Sequence, residues 1–324
     1  MTPTSPPADV TLSDVLAAQT ILAGKLHRTP IIGSATLTGL VGAPLHLKLE
    51  NWQKTGSFKP RGALTKIARL TPDERRRGLI TASAGNHAQA LAWAAAAEGV
   101  ACTVVMPETA PAAKLAATRG YGARIVLEPT TMTVISRAQA LAEEHGYTFV
   151  PPFDDPAIVA GHGTTGLEIV EDLPAVGTVV VAVGGGGLIS GVALAVKASR
   201  PDVRVIVVEP VGAPAMWESR RAGHAVRLPG VKTIADGLAA PFAGELNYRL
   251  VERYVDDLVV VTDEDIKAAM VLLLERVKIL AEPGGAAALA ALLTGVARPV
   301  ADRPVVAIIS GGNIDVARLS QLLG

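Results

Sequence analysis

The stretch GTVVVAVGGGGLISG, residues 177–191, holds the main clue to the fold. Its first half is a run of branched apolar residues with no polar alternation, which marks a strand buried on both faces. Four consecutive glycines, Gly184, Gly185, Gly186 and Gly187, then open a helical pattern. A strand–turn–helix junction of this kind leaves main-chain N–H groups unpaired at a helix N-terminus, where the dipole also favours an anion. A tight turn alone seldom needs four glycines. Their lack of Cβ atoms lets the backbone approach a ligand closely. A phosphate or carboxylate site at this turn is the expectation.

Similar runs recur along the chain. LHLKLE (residues 45–50) alternates apolar and polar, whereas GLITAS, ACTVVM, ARIVLE, VRVIVVE, DLVVV and PVVAIIS are short, branched-rich runs bounded by turn residues. Ala- and Leu-rich stretches of helical length lie between many of them, such as HAQALAWAAAAEG and SRAQALAEEHG. Thr262 and Asp265 have capping-box spacing and open a helix expected to run on through LLLERVK. Strand–helix alternation with unbroken apolar strands predicts an α/β protein with two open parallel sheets, each covered by helices. The stretch FVPPFDDP (149–156) is the expected crossing between domains. A small unit, 61–151, would be inserted into a larger one made of 1–60 and 152–324.

Bulk properties narrow the function. The chain has 324 residues, 49% of them hydrophobic, and its 30 basic residues balance 30 acidic ones. That balance gives no electrostatic footprint for nucleic acid or an anionic membrane. The single cysteine, Cys102, sits in an apolar run and reads as a core residue. The N-terminus lacks a signal-peptide layout and no apolar run is long enough for a membrane span, so a cytoplasmic location is expected.

Two further glycine-bearing turns follow apparent strands, SAGNH (Ser83 to His87) and SGGN (Ser310 to Asn313). In KTGSFKPRGA (54–63), Lys59 lies between Phe58 and Pro60, just where a helix begins. A lysine at such a junction is either a surface residue in a turn or a fixed amine with one task. No P-loop string GxxxxGK[ST] occurs, and the last glycine of GxGxxG would fall on Ile189 or Ser190. Glu209, at the end of the next strand, suits a ribose-binding acid, which keeps an NAD-dependent dehydrogenase as an alternative. That alternative leaves Lys59, SAGNH and SGGN without a role. The six histidines are scattered with no HExxH, no GxSxG is present, and the three tryptophans do not group with basic residues. His87 is a candidate ligand contact, and His162 a packing or helix-start residue.

TGSFK with Lys59, SAGNH, GGGG and SGGN occur in that order, and together they resemble the tryptophan-synthase-beta-like, fold-type-II enzymes that use pyridoxal phosphate. Within that group the chain is most similar to threonine/serine ammonia-lyases and their serine racemase relatives. VMPETAP, ATRGYGA, FDDPAIVAGHGT, TIADGLA and LLLERVKILAE extend the likeness from about Thr11 to Asp315. The resemblance implies dehydration of L-threonine or L-serine to a 2-oxo acid and ammonia, or a related reaction of hydroxyaspartate or phenylserine. It also implies a homodimer or homotetramer. Lys59 would link covalently to the cofactor aldehyde and move the α-proton, with Phe58 beside the ring. Gly184 to Gly187 and the N–H of Leu188 would hold the phosphate. Asn86 would bond the ring's phenolic oxygen and Ser310 face the ring nitrogen. Ser83, Ala84, Asn86 and His87 would surround the substrate carboxylate, Gly237 would lie near the cofactor, and Glu282 near the substrate side chain.

Three departures from the family carry expectations. Only eleven residues follow Asn313, so no C-terminal regulatory domain is expected. His162 stands where relatives often carry glutamine. Some relatives bind a divalent cation after the glycine turn, but here Ala215 replaces the acid that would join Glu209 and the Ala213 carbonyl, and hard cations want several oxygens. No metal is expected.

Overall fold

The computed structural model describes residues 9–324. Its strands are β1 (Ile31–Gly33), β2 (Leu45–Lys48), β3 (Leu79–Ala82), β4 (Cys102–Pro107) and β5 (Arg124–Glu128), then β6 (Thr148–Phe149), β7 (Thr178–Ala182), β8 (Arg204–Pro210), β9 (Asp257–Val261) and β10 (Val305–Ile308). They form a six-stranded sheet in the order β1-β2-β10-β7-β8-β9 and a four-stranded sheet in the order β5-β4-β3-β6. All neighbours pair in parallel except β1, which runs antiparallel to β2 at one edge. β1 and β6 are too short, three and two residues, to carry a readable pattern.

Alternate residues of the central strands enter different cores, as parallel strands buried on both faces must. Val180, Ala182, Ile206 and Val208 pack with the Ala- and Leu-rich helix Pro283–Leu293. Val179, Val181, Val205 and Val207 pack with Leu188, Ile189 and Val192 on the opposite face. In the smaller sheet Val104 and Met106 meet the alanines of helix Asn86–Ala97, while Ile80 and Val105 meet Ala138 and Leu141. Cys102 is buried in that first small-sheet core.

Two local expectations change. LHLKLE alternates in sequence, yet Lys48 is fully buried because Glu168 reaches its amine at 2.6 Å. The helix opened by the Thr262–Asp265 capping box ends at Leu272 and passes into a wider π-type turn, Leu273–Val277, closed by Lys278 at φ 65°.

The chain leaves the C-terminal ends of β3, β7 and β10 through SAGNH, GGGG and SGGN. Open parallel sheets bind ligands at those ends.

Candidate active site

Lys59 caps helix Pro60–Ala68, with Pro60 at the first helical position. The segment before it runs beside SGGN: the Phe58 N–H donates to the Ser310 carbonyl at 3.1 Å and the Gly312 N–H to the Gly56 carbonyl at 2.9 Å. The Lys59 amine donates to the Pro152 carbonyl at 2.8 Å. Burial pulls the amine down to about 8, although the Glu282 carboxylate opposes the shift.

The other turns close around this amine. Asn86 donates through Nδ2 to Glu282 Oε1 at 2.5 Å, and its Oδ1 accepts from Asn313 Nδ2 at 2.7 Å. The same Asn313 amide reaches the Thr55 carbonyl at 2.6 Å, so one side chain ties the lysine segment to SAGNH. Burial raises Glu282 to about 7 against the opposing Asn86 hydrogen bond. A Cβ on Gly237 would stand 3.8 Å from Glu282, so Gly237 borders the same space. Ser310 is buried, and its hydroxyl makes a long 3.3 Å contact with the Gly284 carbonyl. Ser83 accepts the Gly85 N–H at 3.2 Å, which shapes the turn.

His87 differs from the expectation for its side chain. The ring is buried and donates through Nε2 to the Val150 carbonyl at 3.2 Å, and burial pulls it down to about 3. What His87 offers a carboxylate is its main-chain N–H in the first turn of helix Asn86–Ala97.

The glycine turn is tighter than an anion alone requires. A Cβ on Gly185 would stand 2.3 Å from the Phe153 ring, and one on Gly187 3.1 Å from the Phe153 main chain. Gly186 has φ +106°, and its Cβ would meet Asn247 at 2.5 Å. A Cβ on Gly184 would press on Gly237 and Leu238 at 3.1 Å. These glycines let the protein wrap the turn closely as well as exposing its N–H groups. Asn247 holds the turn by donating to the Gly185 carbonyl at 3.1 Å. The first hydrogen bond of helix Gly187–Ser199 comes from Ser190 to Gly186, so the N–H groups of Gly187 and Leu188 have no partner in the helix. Phe153 opens FDDPAIVAGHGT and Asn313 ends SGGN, whereas Asn247 belongs to no motif in the sequence.

The dehydrogenase alternative loses its one support. Glu209 is fully buried, and its two carboxylate oxygens accept the N–H groups of Met216 and Trp217 at 2.7 Å each. No ribose can reach a carboxylate spent on capping helix Ala215–Ala222. Among the described residues no group of three or more His, Cys, Asp or Glu is arranged to hold a metal ion, and no helix is long and apolar enough to cross a membrane.

A poorly solvated lysine amine, an anion-binding helix start, a buried serine hydroxyl and a second helix-opening turn from the four-stranded sheet together define an enzyme that anchors a phosphate-bearing carbonyl cofactor. The residues fit pyridoxal phosphate, since the glycine turn suits its phosphate, Lys59 its aldehyde and Ser310 its ring nitrogen. The chain belongs to the pyridoxal-phosphate dependent enzyme family, whose model matches residues 22–311, and it has the fold-type-II architecture. It is 47% identical over 315 residues to the L-threonine ammonia-lyase of Thermotoga maritima, covering 97% of this chain and 78% of that one. It is 42% identical over 317 residues to the catabolic L-threonine dehydratase of Escherichia coli K12, covering 97% and 96%. Among solved structures, maize serine racemase superposes with TM-score 0.93 at 37% identity, covering 97% of both chains. The processed form of threonine deaminase isoform 2 from Solanum lycopersicum superposes with TM-score 0.90 at 36% identity, covering 96% and 91%.

Proposed function

We propose that this pyridoxal-phosphate enzyme dehydrates L-threonine to 2-oxobutyrate and ammonia, with L-serine a poorer substrate giving pyruvate. The observation that carries the reaction is the placement of the Lys59 amine, 2.8 Å from the Pro152 carbonyl, on a segment tied to SGGN and SAGNH through Asn313. The choice of substrate is supported by relatives named for threonine at 42–47% identity over nearly the whole chain. When bound, the cofactor supplies an electron sink for the Cα electron pair. The residues of the chain do the rest.

The N–H groups of Gly187 and Leu188 hold the phosphate end, and the four glycines let the turn close around it. The first turn of helix Asn86–Ala97 and the Ser83 hydroxyl orient the substrate carboxylate, with Asn86 fixed between Glu282 and Asn313. Lys59 Nζ takes the α-proton, which requires a neutral amine, and burial makes that form accessible near neutral pH. Ser310 can share a hydrogen bond with the ring nitrogen but cannot hold it as a cation, as a carboxylate would. With that weaker sink, release of the β-hydroxyl, which must leave protonated as water, would be favoured over reprotonation at Cα. Glu282, raised to about 7 by burial and bonded to Asn86, would face the substrate side chain.

Lys59→Ala is expected to lose both the visible absorbance of the bound cofactor and turnover. Release of 2-oxo acid from threonine, serine, hydroxyaspartate and phenylserine then ranks the substrates. Full turnover by Lys59→Ala would overturn the central role, and ammonia from a bulky substrate but none from threonine would overturn the substrate.

A further inference from the structure

Two residues beyond Lys59, in the first turn of the same helix, Arg61 is only 2% exposed. A buried guanidinium must place five N–H donors, and here every one has an acceptor. Nε and Nη2 donate to Glu50 Oε2 and Oε1 at 2.8 and 2.7 Å. Nη1 and Nη2 donate to Glu168 Oε1 and Oε2 at 2.7 and 2.8 Å, and Nη1 also reaches Thr164 at 3.0 Å. Lys48 completes the group, donating to Glu168 at 2.6 Å and to the Thr29 carbonyl at 2.7 Å, while the Thr29 hydroxyl donates to Glu50 at 2.5 Å.

The four charged residues come from β2, the short turn after it, the Lys59 helix and helix Pro156–Asp172. Two positive and two negative charges sum to zero. The two helices touch backbone to backbone, since a Cβ on Gly161 would stand 2.3 Å from the Arg61 carbonyl oxygen. A bidentate fork on two carboxylates fixes orientation as well as distance, which a lysine at position 61 cannot do.

We propose that Lys48, Glu50, Arg61 and Glu168 are positioning residues for Lys59, fixing the start of its helix through a buried array that carries no net charge. The proposal rests on the reading of Lys59 as the cofactor lysine. Neutrality matters because any excess charge beside the cleft would act on the amine through a poorly screened interior. The other charged or titratable groups facing the amine are Glu282, His87 and His162. Burial holds both histidines below their ordinary value, so they stay uncharged near neutral pH. In the native protein, burial and Glu282 are then what set the basicity of Lys59.

The sign of the response separates this role from simple stabilisation. Glu168→Gln leaves the array one unit positive and is expected to lower the pH midpoint of the holoenzyme's visible absorbance, because excess positive charge disfavours a protonated nitrogen at Lys59. Lys48→Met leaves it one unit negative and is expected to raise the midpoint. The double variant Lys48→Met/Glu168→Gln restores neutrality and the native midpoint. Arg61→Lys keeps the charge but loses the fork, so its midpoint stays native while kcat falls on the order of tenfold with KM little changed. Unchanged midpoints, shifts of the same sign in both single variants, or native kcat in Arg61→Lys would overturn the proposal. If one single variant does not fold, the other and the double variant test the same charge dependence. All four variants retain Lys59. A missing visible band in the native holoenzyme itself, or a band retained by Lys59→Ala, would therefore implicate the lysine assignment, whereas a band lost from the variants alone would bear on the array.

Discussion

A charged Lys59 would be supported by the Pro152 carbonyl, a half-buried Glu282 and the Phe58 ring 4.9 Å away, yet the loss of water outweighs them and burial lowers the amine to about 8. Only the neutral amine attacks an aldehyde. Capture of pyridoxal phosphate by cofactor-free protein is thus expected to speed up between about pH 7 and 9 and to level off above that range. The Glu282 carboxylate raises the Lys59 value, so Glu282→Gln is expected to move this midpoint to lower pH. Stopped-flow absorbance checks both, and a rate that ignores pH would contradict the assignment. One position away from Ser83, Ala84 is expected to favour elimination over racemisation. Racemisation needs a proton donor about 2.6–3.2 Å from Cα, directly or through one water, on the face opposite the lysine, and the methyl group of Ala84 can neither give nor take a proton. L-serine is expected to yield pyruvate with almost no D-serine, and Ala84→Ser to gain measurable racemisation. Chiral chromatography reads the result, and abundant D-serine from the native protein would sink this expectation.

The glycine turn between β7 and helix Gly187–Ser199 shows why an element can be specified by what it must not contain. Its Cβ directions point at Phe153, Asn247 and Leu238, so a side chain would push the turn off its protein supports before it disturbed a bound anion. Gly186 has the added demand of a φ of +106°. Gly186→Ala is expected to combine backbone strain with that collision and to weaken pyridoxal phosphate binding on the order of tenfold or more. Equilibrium titration of the cofactor checks it, with native affinity as the contrary outcome. The Glu209 carboxylate plays a matching role one strand further on, closing the start of helix Ala215–Ala222 with hydrogen bonds to Met216 and Trp217.

Across the whole molecule, the site draws on both sheets. GGGG and SGGN leave the six-stranded sheet and SAGNH the four-stranded one, while Lys114 and Asp236 approach to 3.6 Å from opposite sides. A ligand held by all three turns joins the two sheets, and a ligand that binds only the folded state stabilises it by mass action. Removing pyridoxal phosphate is expected to lower Tm on the order of 5 °C. Inorganic phosphate at millimolar concentration is expected to restore part of that loss through the glycine turn. Calorimetry of the holo and cofactor-free forms checks both, and equal melting temperatures would contradict preferential binding of the cofactor to the folded state.

Much of this was legible in the order of residues, because local physics governs it. The unbroken branched run before GGGG reads as a doubly covered strand, and Pro60 after Lys59 suits the first position of a helix. Each motif carries its chemistry within five or so residues of chain. What the sequence left open depends on partners far away along the chain. Lys48 looks like the wet side of an alternating strand until Glu168, 120 positions on, pairs with it. His87 looks like a ligand until the Val150 carbonyl turns its ring inward. Glu209 looks like a ribose acid until two helix N–H groups take its oxygens. In each case a buried polar group goes to whichever partner satisfies it, and only the tertiary structure decides which partner arrives.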